Sequence, residues 1–179
     1  MTKIPPEDVQ FFNNLANNII QSDQTNYSNY KKLGKWVYNH LKYNLDFTGK
    51  IYTAKEIYNI KQGVCEHFTL LYNTLLTAYG IEAVKISGYA KDITENNLKV
   101  EKKKDNEDNN KDPTEKHAWT LAKIDGQWVP LDSTWDLLDK NVPVTHVFQN
   151  YGDFKTYIVY NVDNKVNYTL TKDNIKYVN

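Results

Sequence analysis

The segment from residue 68 to residue 89 contains both of the periodicities that a mixed fold needs. Its first part has apolar side chains at spacings of three and four residues, which predicts an amphipathic helix that ends at Gly80. From Glu82 to Tyr89 the apolar residues alternate instead, as in a strand. A buried helix that leads directly into a strand predicts a fold with both helices and a sheet. The helical stripe consists of Phe68, Leu71, Tyr72, Leu75, Leu76 and Tyr79.

Three more helices are predicted on the N-terminal side of this segment. Pro5 and Pro6, followed by two acidic residues, are typical of a helix start. A second helix is expected over residues 28–43, where apolar residues form one stripe. Thr53 and Glu56 have the spacing of a capping box, so a short third helix is expected to begin there and end near residue 63.

A two-residue β-hairpin is predicted around Asp125-Gly126, because this dipeptide is strongly favoured at such turns. The turn places Ile124 opposite Gln127 and fixes the pairing of the two strands. Pro130 lies inside the second strand, where a residue without an N–H group is usually found at an edge or a bulge. A bulge at this position would change the register.

The hairpin register decides which polar side chains can meet. It places Asp132 opposite Trp119. Side chains two positions apart share a face of a strand, so His117 and Asp132 are expected on the same face, with backbones roughly 7 to 8 Å apart. An imidazole and a carboxylate can span that distance. The register therefore predicts a histidine base whose ring is oriented by an acid.

The whole chain, residues 1–179, is expected to form one α+β domain. Residues 1–50 are predicted to hold the N-terminal helices, and residues 54–135 the core. Residues 136–179 are predicted to add further strands to a sheet of four or five strands.

A strongly charged insertion interrupts the predicted core. Residues 101–112 are all Glu, Lys, Asp or Asn, so they cannot bury apolar area to offset the entropy of ordering. They predict a mobile insertion over about residues 91–114. It is either a passive surface loop or a lid over a site.

Composition excludes two broad classes of partner. Lys and Arg together number 22, as do Asp and Glu, so no net charge draws the chain to nucleic acid or to an acidic membrane. No stretch of ~18 apolar residues occurs and no signal-peptide pattern follows Met1, so no integral membrane segment is expected. The compartment stays open, either cytoplasmic or secreted with a signal removed.

The single cysteine, Cys65, comes at the start of the most regular helix. Having one cysteine excludes an internal disulfide and a zinc site built from several cysteines. The free N–H groups at a helix start stabilise a thiolate, which is the nucleophilic form of cysteine. A lone cysteine is otherwise a small buried apolar residue. The predicted pairing of His117 with Asp132 favours the reactive interpretation.

Together these residues resemble the transglutaminase-like superfamily. The resemblance covers about residues 54–135, with its motifs in the family's order. The motifs are Gly63-Val64-Cys65 at a helix start, Gly80 at its end, Gly88-Tyr89 at the end of a strand, His117-Ala118-Trp119, and Trp128-Val129-Pro130-Leu131-Asp132-Ser133-Thr134-Trp135. The resemblance implies a papain-like α+β fold, in which the nucleophile helix packs against an antiparallel sheet.

The resemblance also implies roles for individual residues. Cys65 is expected to be the nucleophile, His117 the general base and acid, and Asp132 the acid that orients the imidazole. They are expected to attack an amide bond of a peptide or protein and form a thioester, which water or an amine resolves. The resemblance implies no metal or other cofactor. The zinc cysteines of the peptide N-glycanase branch are missing, and 179 residues leave no room for the accessory domains of the calcium-dependent transglutaminases. The alternative is a non-catalytic protein-binding module that keeps the fold.

Four further side chains are considered around this site. The Cys65 N–H is the first oxyanion donor expected, and the Gln62 side chain is either a second donor or a capping group. Trp119 and Trp135 either line the substrate cleft or fill the core. His67 either tunes the Cys65 thiol or faces solvent or a neighbouring group.

Overall fold

The structure is a computed structural model that describes residues 2–90 and 115–138, and the backbone of three short strands further along the chain. None of the described helices is long and apolar enough to span a membrane. The predicted insertion lies outside the described residues, and the single-domain division of the chain stays a prediction. The described helices and strands are α1 (Val9–Ser22), α2 (Asn29–His40), β1 (Lys42–Tyr43), α3 (Ala54–Ile60), β2 (Gln62–Gly63), α4 (Cys65–Tyr79), β3 (Ala83–Ala90), β4 (Glu115–Ile124), β5 (Gln127–Leu131), β6 (His146–Phe148), β7 (Thr156–Tyr160) and β8 (Val166–Thr171).

Six of the described strands form one antiparallel sheet. Their order is β5-β4-β3-β7-β8, and β6 is also paired to β3. β3 is therefore central, with β4 along one side and with β6 and β7 as its other partners. The predicted α+β class is confirmed, and β6 is a strand more than the sequence predicts. It has only three residues, too few for an alternating pattern to be recognised.

The hairpin of β4 and β5 has the predicted register. Ile124 is opposite Gln127, and the turn residues Asp125 and Gly126 have φ values of 51° and 79°. Positive φ at both positions is typical of a type I′ turn, whose twist matches that of the two strands. The dipeptide Asp-Gly therefore sets the pairing that carries the site.

Pro130 does not produce a bulge. It is opposite Leu121, and the ladder is continuous on both sides of this pair. Hydrogen-bonded and non-hydrogen-bonded pairs alternate outward from the turn, so Pro130 lies in a non-hydrogen-bonded pair and its nitrogen points away from β4. A proline is tolerated there because β5 is the outermost strand on this side of the described sheet.

A short parallel strand pair precedes α4. It joins Lys42–Tyr43 to Gln62–Gly63. The pairing explains why α2 ends at His40, earlier than predicted, because the residues beyond it must be extended to reach their partner. Lys61, in the left-handed conformation with φ 62°, ends α3 and turns the chain into β2. Strands of two residues leave no periodic signal in a sequence.

α4 forms the centre of the core, in contact with α1, α2, α3, β3 and β4. Leu71, Leu75 and Leu76 of this helix have no exposed surface. Burying each such leucine stabilises the fold by roughly 1.5 to 3 kcal/mol. The other elements contribute to the same cluster Phe12, Ala16, Leu33, Val37, Ile57, Ala83, Ala122, Val129 and Leu131.

Polar contacts fix the position of α4 along the sheet. Thr120 Oγ1 donates to Asn73 Oδ1 at 2.6 Å, and Thr69 Oγ1 shares its one proton between a carbonyl oxygen of its own helix, at 2.8 Å, and that of Ala118, at 3.2 Å. All of these residues are buried, where an unpaired polar group costs about 1 to 3 kcal/mol. A slide of the helix along β4 would break both contacts. The start of α4 is therefore held at the same level as residue 117.

Candidate active site

Cys65 is the first residue of α4, and it is half-buried. Val64 before it is extended, with φ −107° and ψ −176°, so the chain turns into the helix at the cysteine. The first N–H groups of a helix have no partner within the helix, and the helix dipole favours a negative charge at this end. The backbone thus provides a setting in which a thiolate is stabilised.

The turn before Cys65 is closed by His67. The Nδ1 of His67 accepts a hydrogen bond from the Val64 N–H at 2.9 Å, and its Nε2 donates to the Lys50 carbonyl oxygen at 2.8 Å. The residue is only 4% exposed, so it faces neighbouring groups and not solvent. Gly63 makes room for it, because a Cβ at that position would lie 2.5 Å from the Cβ of His67.

His117 lies on β4 and is hydrogen-bonded to Asp132, the contact that the hairpin predicts. The ladder itself ends at Leu131, so Asp132 is not paired with Trp119 as expected but forms a bridge with Leu137. The Nε2 of His117 is 2.7 Å from Oδ2 of Asp132, which has no exposed surface. The other oxygen, Oδ1, accepts hydrogen bonds from the N–H groups of Thr134 at 2.8 Å and Trp135 at 3.3 Å. Both carboxylate oxygens therefore have partners, and the carboxylate orients the imidazole.

The same turn places an aromatic ring against His117. Trp135 stacks on the imidazole, with ring centroids 4.0 Å apart and planes at 10°. Trp119, two positions along β4, has its ring 6.1 Å away and is 2% exposed. The histidine ring is thus fixed by a hydrogen bond at its edge and by stacking on its face.

The charge state of His117 is set by two opposing effects. Burial lowers its pKa, whereas the negative charge and hydrogen bond of Asp132, and to a smaller degree the contact with Cys65, raise it. The partners outweigh burial and raise the pKa of His117 from 6.5 to about 10. The imidazole is therefore protonated at neutral pH, and it carries a positive charge next to the sulfur.

Cys65 and His117 meet in an open cavity. Both residues line a cavity of about 220 Å³, and the neighbouring Cys65 side chain is among the groups that raise the pKa of His117. Glu66 and Lys116 bring one charge of each sign to its wall, and Ser87 adds a hydroxyl group. A substrate group that enters the cavity would reach the sulfur directly.

The remaining predicted residues have different positions. Gln62 is in β2, where its Oε1 accepts a hydrogen bond from the Asn44 side chain at 2.9 Å. Neither Gln62 nor the rings of Trp119 and Trp135 are among the described residues that line the cavity. Among the described residues, no group of three or more His, Cys, Asp or Glu side chains is arranged to hold a metal ion.

Two features of the site are not predicted by the sequence reasoning. One is the pair of hydrogen bonds made by His67, and the other is the stacking of Trp135 on His117. The only feature of the sequence that could have indicated the His67 hydrogen bonds is the place of this residue in the first turn of α4. A side chain there can reach back to the N–H before the helix. The stacking of Trp135 on His117 depends on the shape of the turn after β5, and the sequence of that turn has no regular pattern from which its shape could be predicted.

Comparison with known proteins identifies the family. The sequence matches the transglutaminase-like superfamily over residues 13–133. A candidate cysteine protease from Cytophaga hutchinsonii is 24% identical, with a TM-score of 0.57, and the match covers 78% of this chain and 41% of that chain. The periplasmic domain of TgpA from Pseudomonas aeruginosa is 18% identical, with a TM-score of 0.50, and the match covers 75% of this chain and 47% of that one. No curated protein matches the sequence significantly.

The extent of these matches determines what they establish. The chain spans less than half the length of either solved structure, and at these identities the likeness concerns the fold. The family match is longer than half of the chain and includes Cys65, His117 and Asp132. By this match and by its fold, the chain belongs to the transglutaminase-like superfamily.

Proposed function

We propose that this protein is a cysteine enzyme that transfers acyl groups from amide bonds of peptides or proteins. The observation that carries the proposal is that Cys65 and His117 line the same cavity, and that His117 is bonded to Asp132 at 2.7 Å. A sulfur nucleophile, a base and an orienting acid are the groups that covalent acyl transfer requires. Their position in an open cavity gives a substrate access to the sulfur.

The first half of the reaction uses the protonated form of His117. The Cys65 thiolate attacks the amide carbonyl carbon, and the carbonyl oxygen becomes an oxyanion. The carbon–nitrogen bond then breaks, His117 gives its proton to the departing amine, and a thioester remains on the sulfur. His117 has this proton to give at neutral pH because its pKa is raised.

The second half releases the acyl group. Neutral His117 takes a proton from water or from an amine, which attacks the thioester carbonyl, and the Cys65 thiolate leaves. Water gives hydrolysis and an amine gives a cross-link. The Cys65 N–H at the start of α4 is suited to stabilise the oxyanion in both halves, and Gln62 is a further candidate for this role.

Activation of the thiol is tested by alkylation with iodoacetamide across a range of pH. We expect wild-type Cys65 to react rapidly near neutral pH, because a protonated His117 stabilises the thiolate, and we expect this reactivity to disappear in His117→Ala. The matched control is His40→Ala, since His40 is a half-buried histidine that bonds the Tyr58 carbonyl, away from the cavity. A thiol that is equally inert in all three proteins would favour a non-catalytic binding module.

The reaction is tested with a casein substrate and a fluorescent primary amine. Incorporation of the amine that is lost in Cys65→Ala would establish transamidation. Release of ammonia or peptide fragments, without incorporation, would establish hydrolysis. If Cys65→Ala and the wild type gave the same products at the same rate, the proposal of a cysteine nucleophile would be wrong.

A further inference from the structure

We propose that His67 is a positioning residue for the nucleophile, in that it fixes the backbone turn from which Cys65 projects. This inference rests on the proposed function. The mechanism uses His117 and leaves the second buried histidine beside the cysteine without a task. His67 is 4% exposed and lies two positions after Cys65.

The hydrogen bonds of His67 determine its tautomer. The Val64 N–H can only donate, so the Nδ1 that it contacts at 2.9 Å must be unprotonated. The Lys50 carbonyl oxygen can only accept, so the Nε2 at 2.8 Å must carry the proton. Both ring nitrogens are thus used by the neutral side chain, and His67 joins the loop at residue 50 to the turn before α4.

The surroundings of His67 allow it little freedom. A Cβ at position 63 would lie 2.5 Å from its Cβ and 2.9 Å from its Nδ1, so the ring packs directly on the Gly63 backbone. The rings of Phe47 and Tyr52 lie 6.4 and 5.8 Å from the imidazole. Displacing the ring would require the loop and the strand to move together.

A second set of bonds holds the strand that leads to the cysteine. The Asn44 N–H donates to the Gly63 carbonyl oxygen at 2.9 Å, and the Asn44 side chain donates to Gln62 Oε1 at 2.9 Å. The Gly63 carbonyl and the Val64 N–H are the two ends of one peptide group, so Asn44 holds one end of that peptide and the His67 side chain holds the other. Together they fix the Gly63–Val64 peptide, which leads directly into the Val64–Cys65 peptide. The carbonyl oxygen of that next peptide accepts from the main-chain N–H groups of residues 67 and 68.

The Val64–Cys65 peptide, one unit beyond the peptide that His67 holds, carries the Cys65 N–H, which is the proposed oxyanion donor. Preorganised donors contribute to catalysis only when they point at the position where charge develops. A misplacement of about 1 Å by a group outside the reaction can cost on the order of 100-fold in rate.

Two substitutions each remove one of the two hydrogen bonds of the His67 side chain and can keep the other. In His67→Asn the side-chain oxygen can replace Nδ1 and accept from the Val64 N–H, but the shorter side chain does not reach the Lys50 carbonyl oxygen. In His67→Gln the amide nitrogen can replace Nε2, but nothing replaces Nδ1. We expect His67→Gln to lower kcat roughly 10- to 100-fold with little change in KM, and His67→Asn to retain more activity than His67→Gln.

The matched control is His40→Gln, which also replaces a histidine bonded to a backbone carbonyl oxygen. Its kcat should equal that of the wild type. The alkylation pH profile of Cys65 should keep its midpoint in both His67 variants, because the His117–Asp132 pair is not altered. Wild-type kcat in His67→Gln, or equal losses in the two His67 variants, would overturn the proposed role.

A measurement on the unaltered protein keeps the inference testable if the variants do not fold or if no amide substrate is found. Nitrogen NMR of His67 should show an unprotonated Nδ1 coupled to the Val64 amide, and a protonated Nε2. A protonated Nδ1 would overturn the inference even in an active enzyme. An inactive wild type with the expected His67 signals would count against the proposed function alone.

Discussion

Asp132 is the residue on which the arrangement of the site depends. Its two oxygens receive bonds from His117, Thr134 and Trp135, and its side chain is fully buried. Removing one partner of a buried charge pair leaves the other without compensation. One oxygen of the carboxylate therefore holds the turn after β5, and the other holds the imidazole and favours its positive charge.

Replacing Asp132 by Asn tests this effect on the imidazole. The variant keeps the size of the side chain but removes the charge that raises the pKa of His117, so the imidazole should lose its proton at lower pH. We expect the amide activity to fall by roughly 10²- to 10⁴-fold, the usual contribution of general acid–base catalysis, and the pH range of Cys65 alkylation to shift.

The matched control for this change is Asp136→Asn. Asp136 lies in the same turn and pairs with Lys35, away from the imidazole. Its φ of 58° is a conformation that asparagine also adopts readily. Equal activity losses in the two variants would contradict a specific role for Asp132.

At the scale of elements, the packing of α4 determines whether the site forms. Leu75 has no exposed surface and lies in the core cluster, whereas Leu45 is 70% exposed. We expect Leu75→Ala to lower the free energy of unfolding by about 2 to 5 kcal/mol, because it removes buried contacts and leaves a cavity. Urea unfolding measures the change.

Leu45→Ala is the matched control for this substitution. Most of its side chain is already in water, so the change should stay within about 0.5 kcal/mol of the wild type. A similar loss in both leucine variants would show that α4 is not the centre of the core.

The short helix α3 begins with a capping box. Thr53 accepts from the Glu56 N–H at 3.2 Å, and Glu56 accepts from the Thr53 N–H at 2.8 Å, which confirms the predicted capping box. We expect Thr53→Ala to cost about 1 kcal/mol of stability in urea unfolding. Thr53→Ser keeps the hydroxyl group and should retain most of the wild-type stability. Equal losses of stability in the two variants would contradict a capping role.

The elements that the sequence predicts well are those whose signal is local. The capping box of Thr53 and the Asp125-Gly126 turn are complete within a few residues, and the turn fixes the His117–Asp132 pairing by simple alternation. The parallel pair of β1 and β2 depends on residues about twenty positions apart, with no pattern in either strand. The position of His67 likewise follows from the loop at residue 50, which only tertiary packing brings close.

At the scale of the whole molecule, His117 makes stability depend on pH. A group whose pKa is raised on folding stabilises the fold fully below its unfolded pKa, and the stabilisation is lost as the pH rises through the folded value. For His117 this window extends from pH 6.5 to about 10. The contribution of His117 to the free energy of unfolding should therefore decrease between these values.

Urea unfolding of the wild type and of His117→Gln checks this dependence. We expect the difference in unfolding free energy to be largest at pH 6.5 and to shrink towards pH 10. His40→Gln is the control: burial lowers the pKa of His40, so its contribution varies below pH 6.5 and stays constant above it. A pH-independent difference for His117→Gln would contradict the raised pKa.

The three side chains of the site come from distant parts of the chain. His117 and Asp132 are 15 positions apart on one hairpin, whereas Cys65 is 52 positions before His117. Short loops close quickly during folding and long ones close late, so the imidazole and carboxylate can meet on an early hairpin, before the sulfur arrives. In a refolding experiment, the return of enhanced thiol reactivity would consequently mark the docking of α4 on the hairpin, and until then the cysteine of a nascent chain would react only as an ordinary thiol.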